Sequence, residues 1–366
     1  MNDQLQHRLT RLASDLIDQH KAKVLVPAYH NSTGYWFGGG NMIQLSNGNR
    51  YLVGRYRNFG DSRTGVAVGT RGLELAIFES TDQGETFEKI VSLAKADLSV
   101  DDREVLSIEG AALYETEQGI ELFVSTEKKN IPYPSGFEDY LKPGTGVWTI
   151  DRLQADSIAG LADTTVTPLL ESDNPNWLHI KDPFVHDLPN GDVVLGFCSH
   201  PYNWSSSNTG YTIRHKGADP FGTPVYDGFP RGFSWDVAMT RGTAIIDVPP
   251  VGLFQDQRVS LLFYDGGECV RNLDEHKQAV SRPRGYSCEE LGGVAYIENG
   301  DLSNIRRLSL YEPMFVSPYG SGCSRYVDVL KTETGWTATW QQSQADLSQP
   351  LVTHSLTYDA IAAILE

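Results

Sequence analysis

Four charged residues stand at matching points of a repeating pattern: Glu109, Asp182, Arg241 and Arg325, spaced about 60 to 85 residues apart, each at the head of an apolar run. A second group follows the next apolar run of each repeat and contains Arg55, Arg57, Asp61, Arg63, Glu127, His200, Tyr202, Asp265 and Gln342. A third, Glu74, Glu289 and Glu290, lies near the start of a third run. Neighbouring residues on a strand point to opposite faces, so only one of Glu289 and Glu290 can face a common opening. Carboxylates and guanidinium groups gathered in one concave site suit chemistry on a polyhydroxylated substrate. One carboxyl moves a proton, an ionised one stabilises or attacks, and arginines hold oxygens or an acidic group.

The pattern that places these residues is an apolar run, a turn with Gly or Asn, a second run, a long polar loop, then a third run. It reads GGGNMIQLSNGNRYLVGRY with LELAIFES, then EGAALYETEQGIELFVST with TGVWTIDRL, then DPFVHDLPNGDVVLGFCS with TGYTIRH. The fourth unit has RGTAIIDV, RVSLLFYDG and GGVAYIEN, and the fifth SRYVDVLKTETGWTATWQQS and LVTHSLTY. A weaker fourth strand, as in DLSNIRRLSL, often follows. Repeats that cannot bury their faces alone must stack on their neighbours. The expectation is an all-β fold, a five-bladed β-propeller spanning 26–366 as a single domain. A short helix opens the chain within segment 1–25, on Leu5, Leu9, Leu12 and Leu16, and another closes it from Tyr358 to Leu365. A β-sandwich with irregular loops is the competing architecture. In a propeller the start of strand one, the end of strand two and the start of strand three share one rim, which turns the three groups into one list of pocket residues.

Each candidate has a plainer explanation. Glu109 could merely begin a strand, although acidic residues are poor strand formers. Asp182, in HIKDPFV, could be an Asp-Pro turn signal, and Asp61 sits in the turn-rich NFGDSRTG. Arg241 and Arg325 could pair with surface acids, and His200 could be a satisfied loop histidine.

The composition narrows the partners. A net charge of −17 argues against a nucleic-acid backbone, which demands a basic surface. The polar start of the chain lacks an apolar signal core, and no segment approaches the length of a membrane span. Cys198, Cys269, Cys288 and Cys323 form no CxxC pair, which fits reduced thiols. A cytoplasmic location is therefore expected. His179, His186 and His200 are too scattered for a zinc site, so no metal or other cofactor is expected, although a calcium ion in a central channel is compatible.

Two segments resemble known propellers. STDQGETF, residues 80–87, is similar to the Asp-box S-x-D-x-G-x-T-[FW] of sialidase-like propellers, where Asp82 and Gly84 would make a tight turn over Phe87. EGAALYE and KDPFVHDLPNGDVVLGF resemble the inner strands of five-bladed glycosidases, a group that includes arabinanases, α-L-arabinofuranosidases, fructosidases and neoagarooligosaccharide hydrolases. That resemblance implies three carboxylates around the channel: an Asp as base or nucleophile, a second Asp that orients substrate and tunes pKa, and a Glu as acid. Asp182 would be the second Asp. The chain departs from the pattern where Gly38-Gly39-Gly40-Asn41 replaces the first Asp, and where Glu109 precedes Asp182. GRYRNFGDSR is similar to the sialidase segment that carries an arginine and an acid/base Asp, yet the Arg-Ile-Pro of sialidases is absent.

The expected function is a glycoside hydrolase acting on a terminal sugar of an oligo- or polysaccharide. Its catalytic set would be Asp61, Glu109, Asp182 and Glu290, with either glutamate as proton donor. Arg55, Arg57, Arg241 and Arg325 would anchor the substrate, and four arginines favour an acidic sugar. His200, Tyr202, Trp36 and Asp265 would complete the binding surface. A carbohydrate is the expected partner, with no nucleic acid and no membrane, and the oligomeric state is open, a dimer included. Two alternatives stand beside this. A non-catalytic carbohydrate-binding propeller would rely on Trp36, Trp177, Tyr202, Trp204 and Trp235. A polysaccharide lyase would use His200 or Tyr202 as base.

Overall fold

The computed structural model describes residues 1–58, 70–268 and 290–366. Helix α1 (Asp3–Leu16) starts on Asn2, whose side chain accepts from the Leu5 N–H and caps the first turn. It buries Leu5, Leu9, Leu12 and Leu16 on one face, as the three-and-four spacing requires. Strand β1 (Lys23–Val26) follows, and from there the chain is β-rich until helix α2 (Tyr358–Leu365), capped by Thr357.

Five antiparallel sheets make the five blades of a propeller. Blade 1 has an inner strand in two pieces, β2 (Trp36–Gly38) and β3 (Met42–Gln44), then β4 (Arg50–Asn58), β5 (Thr70–Ser80) and β6 (Glu88–Ala94). Blade 2 runs outward through β7 (Val105–Thr116), β8 (Gly119–Lys128), β9 (Val147–Ala155) and β10 (Thr167–Leu170). Blade 3 contains β11 (His179–Asp187), β12 (Val193–His200), β13 (Asn208–Arg214) and β14 (Val225–Phe229). Blade 4 contains β15 (Met239–Asp247), β16 (Val259–Gly267), β17 (Leu291–Glu298) and the two-residue β18 (Arg306–Arg307). Blade 5 has β19 (Ser324–Lys331), β20 (Gly335–Gln342) and β21 (Leu351–Thr357), and its outermost strand is β1. The strand at 23–26 thus crosses the boundary expected at residue 25 and joins the two ends of the chain in one sheet.

Each pair of neighbouring blades shares a hydrophobic cluster, which is why the blades stack rather than stand alone. Val53, Ile77, Leu113 and Val124 join blades 1 and 2; Phe123, Ile150, Leu195 and Phe197 join blades 2 and 3. Phe184, Trp235, Leu262 and Tyr264 join blades 3 and 4. Val26 and Leu351 meet Phe37 and Phe78 between blades 5 and 1. Both helices add their apolar faces to the cluster of blades 4 and 5, around Phe263, Trp336 and Trp340. At the outer edge of blade 1, Asp82 accepts from the Thr86 N–H at 3.0 Å and from the Ser80 hydroxyl at 2.7 Å, closing the turn between β5 and β6. Among the described residues, no helix is long and apolar enough to cross a membrane, and Cys198 and Cys323 are buried.

Candidate active site

The inner strands are not regular. Pairing slips between Ile108 and Ala111 in β7, Lys181 and Phe184 in β11, Gly242 and Ala244 in β15, and Arg325 and Asp328 in β19. A slip lets consecutive residues turn toward the same side, against ordinary strand alternation. Asp182 and Tyr326, at φ +56° and +55°, take the left-handed conformation that non-glycine residues seldom adopt. Gly110 makes room for this: a Cβ there would come within 2.8 Å of the Asp182 Cα. Its N–H instead donates to Asp182 Oδ1 at 3.0 Å.

The slips gather charged groups from all five blades at one end of the axis. Arg55 donates from Nε to Glu109 Oε2 at 2.6 Å. Lys181 lies between Glu109 (3.6 Å) and Asp182 (3.5 Å). Arg241 is the hub: it reaches Asp182 Oδ2 at 3.3 Å, Asp265 Oδ2 at 2.7 Å and Glu290 Oε2 at 2.7 Å. Arg325 clamps Glu290 from the other side. The Tyr326 ring lies under the Arg241 guanidinium at 3.9 Å, and its hydroxyl donates to Asp182 Oδ1 at 3.2 Å. Trp36 lies beneath Arg57 and Arg325, each 4.4 Å from its ring centre.

Burial sorts the roles. Arg55, Arg241, Asp182 and Asp265 are sealed from solvent, whereas the side chains of Glu109 and Glu290 are 21% and 25% exposed. Burial alone would raise both glutamates. Arg55 and Lys181 outweigh it and hold Glu109 below its ordinary value. Arg241 and Arg325 hold Glu290 well below. Asp182 is likewise depressed against its burial by Lys181 and Arg241. Asp265, fully enclosed, is pushed up by burial to about 6 despite Arg241. It also accepts the Tyr326 N–H at 3.1 Å, so it fixes Arg241 and the left-handed turn rather than facing the opening. His200 is buried, and its Nδ1 donates to the Ser206 carbonyl, with Nε2 3.5 Å from the Cys198 sulfur. That thiol in turn reaches Asp182 Oδ2 at 3.5 Å.

The expected residues fall into three groups. Glu109, Asp182, Arg241, Arg325, Arg55, Asp265 and Glu290 form one connected network, with Arg57, Trp36 and His200 against it. Of the arginines expected as substrate anchors, Arg55, Arg241 and Arg325 are occupied by carboxylates; Arg241 and Arg55 hold the network and do not open to solvent. Glu74 lies away from the opening, bonded to Tyr29, Lys89 and Ser92, and Glu127 is buried against Arg71. Gln342 bonds to Gln19. Tyr202 sits on the rim of blades 2 and 3, away from the charged network. Asp61, Arg63 and Glu289 lie outside the described residues. Lys181, Tyr326 and Cys198 were not expected in the site; the first two were hidden by strand alternation, since each neighbours a residue already read as inward-facing.

Along the axis beyond Asp182 and Tyr326 lies a channel cavity of ≈ 330 Å³, bounded by Met42, Leu113, Val185, Ile246 and Asp328 among others. Asn41 spans two blades here, exchanging hydrogen bonds with the Leu113 backbone at 2.7 and 2.9 Å. Asp328 accepts the Met42 N–H at 2.8 Å, and burial pushes its carboxyl up to about 7. Among the described residues, no group of three or more His, Cys, Asp or Glu side chains is disposed to hold a metal ion.

The architecture is that of the five-bladed β-propellers found among glycoside hydrolases. The chain is similar to the α-L-arabinofuranosidase of Lactobacillus brevis, with 11% identity, 94% of each chain covered and a TM-score of 0.56. It is similar also to an endo-arabinase from Bacteroides thetaiotaomicron (15% identity, 92% of this chain and 97% of that one, TM-score 0.51). A xylan β-1,4-xylosidase from Bacillus halodurans gives a TM-score of 0.56 at 10% identity, covering 92% of this chain and 55% of that one. No family model and no curated protein matches the sequence.

Proposed function

We propose that the protein is a glycoside hydrolase that removes a terminal sugar at the charged ring. The observation that carries this is the disposition of three carboxylates on consecutive blades: Glu109 and Glu290 partly exposed on either side of a buried Asp182. Glycosidic cleavage needs one carboxyl to protonate the leaving oxygen and an ionised one to attack or to activate water. Both glutamates lie below their ordinary value, Glu290 the further, so their order and not a raised carboxyl assigns the two roles. Glu290, held down by two arginines, is the ionised partner. Glu109, held by Arg55 and Lys181 but facing the charge of Asp182, is the less depressed of the two and is assigned the proton donor's role. Asp182 orients and supplies charge from below. The fold shared with arabinan- and xylan-cleaving enzymes supports this reading. An acidic sugar is favoured by the charge balance of the network beneath the mouth, five basic side chains (Arg55, Arg57, Lys181, Arg241 and Arg325) against four carboxylates among the described residues.

The test is a panel of aryl glycosides and natural oligosaccharides, acidic and neutral, read for product. A reducing sugar supports hydrolysis. An unsaturated product absorbing in the ultraviolet would show a lyase, and binding without turnover a recognition module. On aryl glycosides with good leaving groups, Glu109→Gln should retain most turnover, because little protonation is needed. Glu290→Gln should lose about 10²–10⁴-fold whatever the leaving group. The opposite pattern would reverse the two roles.

A further inference from the structure

We propose that the far mouth of the central channel, on the face opposite the charged ring, binds a small organic amine as its ammonium, with Asp328 as the counter-charge. The site stands apart from the hydrolase reading, because neither Glu109 nor Glu290 takes part in it. The inner strands β3, β7, β11, β15 and β19 each end a sheet, so one backbone edge of each lacks a strand partner. Consecutive residues of β11 (182–187) and β15 (242–247) line the cavity of ≈ 330 Å³, as happens when a strand presents its edge rather than one face. Carbonyl oxygens are therefore turned to the axis. The strands start at the charged ring and run away from it, and β11 and β19 finish at the exposed Asp187 and Lys331, where the cavity meets solvent. The bond from Tyr326 to Asp182 lies between the cavity and the ring.

Below that bond, Asp187, Asp247 and Asp328 line the cavity. Two of them are engaged: Asp187 accepts the Tyr114 hydroxyl at 2.7 Å, and Asp247 accepts the Ser260 hydroxyl at 2.6 Å with His186 Nε2 3.8 Å away. Asp328 accepts the main-chain N–H groups of Met42 and Val329, and it forms no ion pair among the described residues. A carboxyl that burial pushes up to about 7 gains from any ligand that brings a positive charge. An ammonium brings that charge and three donors, for the carboxylate and for strand-edge carbonyls. An anion would meet carboxylates, and a calcium ion asks for about six to eight oxygens around one point. Val185, Ile245 and Val329, partly buried, offer apolar surface to a carbon chain. The volume suits about ten non-hydrogen atoms, at the low end of small-molecule sites.

Pentylamine, 1-pentanol and pentanoate would be titrated by calorimetry into the full chain at about pH 8, where Asp328 is ionised and the amine charged. Pentylamine should bind about 10-fold or more tightly than pentanol, and pentanoate should give no binding heat. Asp328→Asn, which keeps the volume, should bring the amine down to the affinity of the alcohol. Glu290→Gln, which removes a charge from the ring instead, should leave it unchanged. Cooperative melting of both variants excludes misfolding. Nα-acetyllysine methylamide carries the same ammonium: tighter binding than pentylamine assigns the site to a protein lysine, and weaker binding to a free amine. Equal affinity for amine and alcohol, binding of neither, a preference that survives Asp328→Asn, or one that falls with Glu290→Gln would overturn the site. Turnover of glycosides tests the hydrolase reading separately, and its absence leaves the amine site standing.

Discussion

Tyr326 donates its hydroxyl to Asp182 across 3.2 Å, from blade 5 to blade 3, and both residues hold the left-handed backbone conformation. The bond spans the propeller axis and joins two slipped strands, so each strained residue stabilises the position of the other. Asp182→Asn keeps the shape and removes the charge, and should lower kcat by about 10²–10⁴ with KM changed far less. Tyr326→Phe removes only the hydroxyl and should lower kcat by about 10-fold. Steady-state kinetics on the cleaved sugar measures both, and near-native turnover of Asp182→Asn would refute its role.

Arg241, itself buried, pairs with Asp182, Asp265 and Glu290. Breaking such a network strands buried charges. Arg241→Met should therefore destabilise the protein by about 3–5 kcal/mol in urea unfolding. A purely substrate-binding arginine would raise KM and leave the unfolding midpoint in place.

Asp328 provides a pH signature outside the reacting groups. Its carboxyl lies at about 7 in the folded chain, above its ordinary value of 3.8, so the folded state binds the extra proton. A raised carboxyl contributes stability at low pH, and that contribution disappears as pH rises from about 4 through 7. Asp328→Asn keeps an acceptor for the Met42 N–H and removes the charge. It should be more stable than the wild type by roughly 1–3 kcal/mol at pH 8, with the difference closing below pH ~4. Urea melts at three pH values would show it; a constant difference would mean that packing, not ionisation, sets the effect.

Asp82 anchors the turn after β5 by accepting from the Ser80 and Thr86 side chains and the Thr86 N–H, far from the axis. Asp82→Ala should lower the melting temperature and leave turnover per folded molecule intact. Selective loss of turnover with unchanged melting would place this turn in the function instead.

The repeat of three apolar runs carried the blade architecture, because hydrophobic alternation and Gly or Asn turns are local signals. The positions of Glu109, Asp182, Arg241 and Arg325 followed from counting along it. Lys181 and Tyr326 did not, because period-two alternation turns them away from the axis and only a slip in pairing brings them back. The pairing of each arginine with a carboxylate was equally hidden, since partners such as Arg241 and Glu290 meet only when strands close into a ring.

Strand β1 completes blade 5 by pairing with β21, so a ribbon made early in synthesis waits for one made near the end. The ring is a clasp rather than a stack that grows blade by blade. Until residues 351–357 emerge, the edge that Lys23–Val26 presents has no partner, and the grip between blades 5 and 1 through Val26, Leu351 and Phe37 cannot form. These distant contacts close late, and the charged ring, which draws on every blade, is completed with the clasp.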